Sequence, residues 1–273
     1  MRFGVYVPTF GEYDVPTLAD FARESELAGW DGFFIWDQVV ARPDPRQDLA
    51  DTTVALTAIA LATERLRFGP LVTPLARRRP WKLAKETATL DRLSGGRLVL
   101  GVGLGEQGDM APFGEAAPPR DVAARLDGSL ELLVAFWSGE NVQHDGEHFQ
   151  VDATLRPPAQ QRPRIPIWVA GLWPHKAPFR RAARWDGALP LDPDHLLKEL
   201  SPDELSECRD YIAEHRDSSD PFDLIAFAVT QPRTPEIVAE YERAGATWWM
   251  EAVHPLDESL PDFRARIRRG PIR

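Results

Sequence analysis

Cysteine is all but missing from this chain. Cys208 is the only one in 273 residues, which excludes an intramolecular disulfide and any zinc cluster built on thiolates. Its setting, ELSECRDYI, reads as a helix in which the thiol packs. Long hydrophobic runs are missing too: nothing approaches about 18 consecutive apolar residues, so no membrane-spanning helix is expected. Basic residues are not in excess, since 32 Lys and Arg stand against 42 Asp and Glu for a net charge of −10. A nucleic-acid binder needs a basic face to neutralise phosphates, and this composition argues against one. The opening MRFGVYVPTF has no charged segment followed by a long apolar one, so no signal peptide is expected and the cytoplasm is the expected compartment.

Several catalytic signatures are also absent. There is no GxSxG elbow for an acyl-transfer serine. No HExxH or carboxylate cluster points to a metal. His144 and His148 stand four apart in HDGEH, but Gly146 and its turn-forming neighbours keep them off a common helix. GVGLG at 101–105 has the outline of a dinucleotide turn, yet Gly108, Pro112 and Gly114 follow where a helix should open. These glycines are read instead as letting a flat ligand or a neighbouring loop approach the backbone.

What the chain does have is a regular alternation of short apolar runs with helix-like segments. Strands are expected at 2–7, 31–36, 66–73, 97–102, 165–171, 186–190, 222–230 and 247–253. Helices at 16–28, 53–65, 80–93, 120–138, 180–185, 202–215 and 235–244 separate most of them. Alternation on this scale favours a (β/α)8 TIM barrel, one domain over 1–273, rather than an open doubly wound sheet. Pro70 removes a ladder donor from the third strand and predicts a bulge or distortion there. Residues 106–120, rich in Gly, Pro, Ala and acid, read as an irregular insertion after the fourth strand, over the C-terminal face. A small hairpin is expected at 141–151. The helix at 53–65 is apolar almost all round, so it is expected to be covered on both sides in a homodimer, with Val54 and Ile59 in the contact.

In such a barrel the chemistry sits where the strands end. Asp37 and Gln38 end the second strand. Arg77, Arg78 and Arg79 follow the third, placed either to bind an anionic cofactor tail or to lie solvated. Gly171, Leu172, Trp173 and Lys176 lead into the helix after the fifth strand, where free N–H groups, the helix dipole and an ammonium suit a phosphate. Trp36 and Trp173 are candidates to line an apolar pocket; the other tryptophans near strands read as core.

The ordered set PLVTPLARRRPWKLAKETATLDRLSGGRLVLGVGLGE, FWSGE, DGEHFQV, RPRIPIWVAGLWP and RRAARWDG resembles the luciferase-like family of flavin- and deazaflavin-dependent oxidoreductases, over nearly the full length. The resemblance implies a (β/α)8 barrel that holds reduced FMN or the deazaflavin coenzyme F420, and no metal, at the C-terminal strand ends. It implies a distorted third strand with a non-prolyl cis peptide at Leu71–Val72 behind the ring. Leu71, Val72, Thr73 and Gly103 thereby join Arg77, Gly171, Leu172, Trp173 and Lys176 as expected cofactor contacts. Two departures stand out. A phosphate-binding arginine found after the fourth strand in the bacterial luciferases falls here on Leu104, and the Asp-His pair of many relatives is Asp37-Gln38. Glutamine hydrogen-bonds but does not shuttle a proton at neutral pH. Asp37 or water would then carry any proton, unless hydride transfer suffices.

The expected function is a reduced-FMN-dependent monooxygenase acting on a small organic substrate, with electrons from a separate flavin reductase and with 106–120 helping to close the pocket. The alternatives are a deazaflavin-dependent hydride transferase and a flavin-binding barrel without turnover, the latter favoured by the change at Gln38.

Overall fold

Strands form where short apolar runs end in turn residues, and helices follow where an apolar face can cover them. In chain order they are β1 (Arg2–Val7), α1 (Val15–Leu27), β2 (Gly32–Ile35), α2 (Thr52–Ala62), β3 (Arg67–Pro70), β4 (Thr73–Pro74), α3 (Pro80–Leu93), β5 (Leu100–Gly103), α4 (Gln107–Met110), α5 (Pro119–Trp137), β6 (Asn141–Asp145), β7 (Gln150–Thr154), β8 (Ile167–Leu172), α6 (Lys176–Ala182), β9 (Gly187–Leu191), α7 (Pro202–Glu214), β10 (Asp223–Ala228), α8 (Pro235–Arg243), β11 (Trp248–Ala252) and α9 (Leu260–Arg268). The computed structural model describes residues 1–41, 44–194, 198–228, 234–252 and 258–272; Val229, Thr230 and Val253, expected at strand ends, lie outside them.

The main sheet runs β3-β2-β1-β11-β10-β9-β8-β5-β4, all in parallel pairs. β3 and β4 are the two halves of the expected third strand. One half pairs with β2 and the other with β5, and a bridge between Phe68 and Leu98 closes the ring. The architecture is therefore a (β/α)8 barrel whose third strand breaks after Pro70, and the Leu71-Val72 peptide at the break is cis. The antiparallel hairpin β6–β7 lies outside the barrel. Helix starts follow local chemistry: Asp14, Asp51, Ser201, Thr234 and Ser259 accept from first-turn N–H groups of α1, α2, α7, α8 and α9. Sequence periodicity alone does not bring out α9, and α6 starts at Lys176, four residues earlier than expected. Among the described residues no helix is long and apolar enough to cross a membrane.

The barrel interior is a packed plug. Phe34, Leu71, Val99, Trp168, Leu189, Ile225, Trp248 and Met250 fill it, with the Phe34 and Trp168 rings 5.2 Å apart and the Trp168 and Trp248 rings 5.3 Å apart. Two residues further along their strands, Tyr6, Ala170, Leu191 and Phe227 pack on the plug together with Val72 and stay half-buried. A second, larger core lies between strands and helices. Within α2, Ala55, Leu56, Ile59 and Ala60 face that core. Ile59, expected in a subunit contact, is thus a core residue, and it is Val54 at 56% and Leu61 at 70% exposure that face outward. An evenly apolar helix hides which side is inner.

The last helix is fastened to the first by charge. Arg264 and Arg268 of α9 reach Glu24 of α1 at 2.7 and 2.9 Å. Hydrogen bonding from Arg264 above all, then from Arg268, lowers the Glu24 carboxyl to about 2. A folded-state pKa below the unfolded value of about 4.3 gives stability that is full above that value and is lost as the pH falls toward the folded pKa. Urea titration should accordingly find Glu24→Gln less stable than the parent near neutral pH, with the difference shrinking through the acid range and gone near pH 2.

Candidate active site

At the C-terminal ends of the strands the half-buried residues Tyr6, Val72, Ala170, Leu191 and Phe227 make an open apolar floor above the plug. Trp36, just past β2, places its ring 5.9 Å from that of Tyr6 and 5.6 Å from that of Phe10. Phe227 meets Tyr6 edge-on at 5.2 Å. The Tyr6 hydroxyl donates to the Leu71 carbonyl at 2.7 Å, which ties the cis peptide to β1 across the mouth. Burial, and then the charge of Glu106, pushes the Tyr6 pKa up, so this phenol keeps its proton at neutral pH. Gly103 lies beside Val72: a Cβ there would stand 2.6 Å from Val72 Cγ2. The glycine makes room for the broken strand rather than for a ligand.

Three buried polar atoms near the ends of β1 and β2, Thr9 Oγ1, Trp36 Nε1 and Gln38 Oε1, have no hydrogen-bond partner among the described residues. They are three of ten such atoms among the described residues, Trp168 and Trp248 Nε1 of the plug included, and are set apart by standing next to the apolar floor. Asp37 turns toward Thr52 of α2, Trp36 before it meets the Tyr6 ring of the floor, and Gln38 follows in the same short segment with its Oε1 buried. A flat ring with hydrogen-bonding edges answers both features, its face on the apolar floor and its edge on the unpaired atoms.

Asp37 itself is committed elsewhere. Its Oδ2 accepts from Thr73 Oγ1 and Arg78 Nη2, both at 2.8 Å. Its Oδ1 accepts from Arg77 Nη2 at 2.8 Å, from a second approach of Arg78 Nη2 at 2.6 Å and from Thr52 Oγ1 at 3.3 Å. Arg77 continues through Nη1 to Asp109 Oδ2. Asp37, Arg77 and Asp109 are all but fully buried, with side-chain exposures of 2, 7 and 5%. Arg77 and Thr73 therefore serve this cluster, and Arg77 is not presented as a clamp for an anionic tail. Arg79 is exposed and stacks on Trp81, its guanidinium carbon 5.9 Å from the ring centre.

Beyond β8 the expected contacts separate. Gly171 is packed under Pro178, whose Cβ would stand 2.3 Å from an added Cβ. Leu172 pairs with Leu191 and stays half-buried at the rim. Trp173 turns into the core against Phe179 and Tyr211, and Lys176 Nζ rests 3.5 Å above its ring. The structure thus brings Val72, Gly103, Leu172 and Trp36 to the mouth, and takes Thr73, Arg77 and Trp173 into walls. Sequence reasoning missed Tyr6, Ala170, Leu191 and Phe227. Their signal is the period of two in each strand, which returns to the inward side at these positions.

The family model for luciferase-like monooxygenases matches residues 1–266. The F420-dependent glucose-6-phosphate dehydrogenase of Nakamurella multipartita is 34% identical over 179 residues, 64% of this chain and 51% of that protein. An uncharacterized protein of Sinorhizobium fredii, y4wF, is 34% identical over 183 residues, 65% of this chain and 52% of its own length. The chain spans about half the length of these curated relatives. Among solved structures, the coenzyme F420-dependent tetrahydromethanopterin reductase of Methanopyrus kandleri superposes with a TM-score of 0.78 at 17% identity, over 98% of this chain and 96% of that one. The FMN-bound oxygenating constituent of 3,6-diketocamphane monooxygenase of Pseudomonas putida gives 0.68 at 17% identity, over 86% and 69%. At such identities these two establish the shared barrel.

Asp37→Asn tests the wall. It leaves two guanidiniums facing a neutral amide, and loss of one partner from a buried ion pair costs about 3 kcal/mol or more. Because Arg78 keeps 22% exposure, the loss should fall at the low end of that range. The urea midpoint should drop with an unchanged m-value; an unchanged midpoint would remove the cluster from the stability account.

Proposed function

We infer that this chain, which belongs to the luciferase-like monooxygenase family, is an oxidoreductase that seats the tricyclic ring of FMN or of F420 on the apolar floor at the mouth of its barrel. The observation that carries this reading is the floor itself, five half-buried apolar residues over a closed plug. Val72 and Phe227 would meet the face of the ring, and the Leu71-Val72 peptide, fixed by Tyr6, would back it. Leu172 and Leu191 would close one side. The Trp36 N–H and the Gln38 amide would address polar edges of the ring or of a small organic substrate. When bound, the ring supplies two-electron redox chemistry, as hydride transfer in either cofactor and with oxygen in the FMN version. Gln38 contributes hydrogen bonds without a proton of its own to exchange.

The two cofactor versions have comparable support. The family description names monooxygenases and the 3,6-diketocamphane enzyme is FMN-bound, which favours an FMN-dependent monooxygenase whose electrons a separate flavin reductase would supply. The relatives named for F420 favour hydride transfer without oxygen chemistry. Absorbance titration of the purified protein with FMN and F420, oxidised and reduced, decides between them. One should bind at micromolar concentrations, and Phe227→Asp should weaken it by about tenfold or more, by placing a carboxylate against an apolar ring. Binding of neither cofactor would contradict the reading. Turnover of the bound, reduced cofactor with aldehydes, ketones and nitro compounds then separates an enzyme from a barrel that only binds.

We further propose a homodimer through the outer face of α2. Val54 and Leu61 are exposed there at 56 and 70%, and Leu27, which ends the adjoining α1, is exposed at 81%. Sedimentation at micromolar concentration should give a dimer for the parent and a monomer for Val54→Glu with Leu61→Glu. A monomeric parent contradicts the proposal.

A further inference from the structure

The insertion after β5 carries one buried charge. Asp109, in α4, is 3% exposed although the residues flanking the short helix are largely solvated. Its Oδ1 accepts from the backbone N–H groups of Val39 at 2.8 Å and Val40 at 2.9 Å. Its Oδ2 takes Arg77, whose other nitrogen holds Asp37. Gln38 therefore stands between anchored neighbours: Asp37 is fixed through its carboxylate, and Val39 and Val40 through their N–H groups. The Gln38 Oε1 between them is buried and unpaired. A buried carboxylate is expensive for a loop to carry, and here two of its bonds go to the turn that carries Gln38 and the third reaches it through Arg77 and Asp37.

We propose that Asp109 is a positioning residue: it locks the insertion onto the turn after β2, so that docking of the insertion and placement of the Gln38 amide at the mouth are a single event. Resting on the reading of the mouth as a ring-binding site, this makes Gln38 a preorganised neutral partner for an uncharged polar atom of the ring or substrate. The insertion then acts on the site through the Asp109 contacts, in addition to the charge that Glu106 brings near Tyr6. Loss of Asp109 should loosen two segments distant in sequence, and should cost ligand affinity only as far as Gln38 contributes to it.

Hydrogen exchange on the full chain without added cofactor reads the first part. Asp109→Ala should speed exchange over residues 36–41 and 106–118 by about tenfold or more, the scale of losing hydrogen bonds to a charged group, with β10 and β11 unchanged. Asp109→Asn keeps an acceptor for Val39 and Val40 and loses the ion pair, so it should fall between. Unchanged exchange in both segments, or acceleration spread equally through β10 and β11, would overturn the proposal. FMN and F420 affinities of Asp109→Ala, Gln38→Ala and the double variant read the second part. The double variant should bind no more weakly than Gln38→Ala alone, and additive losses would overturn it. Absence of binding by the parent would sink the cofactor reading while the exchange result still judged the positioning role.

Discussion

Two carboxylates and two guanidiniums, taken out of water together, hold the rim of this barrel in one arrangement. Asp37 comes from the end of β2, Arg77 and Arg78 from the turn after β4, Asp109 from the insertion after β5, and Thr52 from the start of α2. Withdrawal of the turn that carries Arg77 and Arg78 would leave Asp37 buried without a counter-charge, which is what makes such clusters strong constraints even where their net contribution to stability is modest. The same contacts explain why Asp37 is a wall residue, its two oxygens already shared among five donor contacts. Three neutral groups stand at or near the mouth, a phenol that keeps its proton, an indole N–H and a glutamine amide, with the carboxylate of Glu106 close enough to act on the phenol.

The broken third strand is the second half of that arrangement. Pro70 ends β3, β4 resumes on the far side of Leu71-Val72, and the two halves pair with different neighbours. Gly103 across the gap gives Val72 the space its side chain needs, and Tyr6 holds the Leu71 carbonyl from the other wall. Below, three aromatic side chains from β2, β8 and β11 close the barrel. An apolar surface of half-buried side chains over a buried plug is the outcome, and apolar rings bind well on surfaces of that kind.

Much of this was legible in the residues. Apolar runs with a period of two alternating with segments of period 3.6 announce βα units, and Pro70 announces the break. The resemblance to the family placed the cis bond at Leu71–Val72, where it is found. The fate of Arg77 was not legible, because its partners Asp37 and Asp109 lie 40 and 32 positions away, and a basic loop with distant acids looks the same in sequence as a solvated one. The inner side of α2 was equally hidden, since Val54 and Ile59 sit in a helix with little polar face to fix its rotation. Trp173 looked like a pocket residue from its place after β8, and its burial against Phe179 and Tyr211 depends on contacts that only the folded chain supplies. Tyr6 and Phe227 lie within β1 and β10 and not in the turns that follow them, so nothing in their local sequence separates them from core residues.

The central claim is that the mouth, and not another surface, holds the redox ring. A crystal structure of the protein saturated with whichever of FMN and F420 binds tests it most directly. The account predicts the ring in van der Waals contact with Val72 and Phe227, the Leu71-Val72 peptide behind it, and a polar edge within hydrogen-bonding distance of Trp36 Nε1 or Gln38 Oε1. A cofactor seated anywhere else, with Val72 and Phe227 still open to solvent, would contradict it.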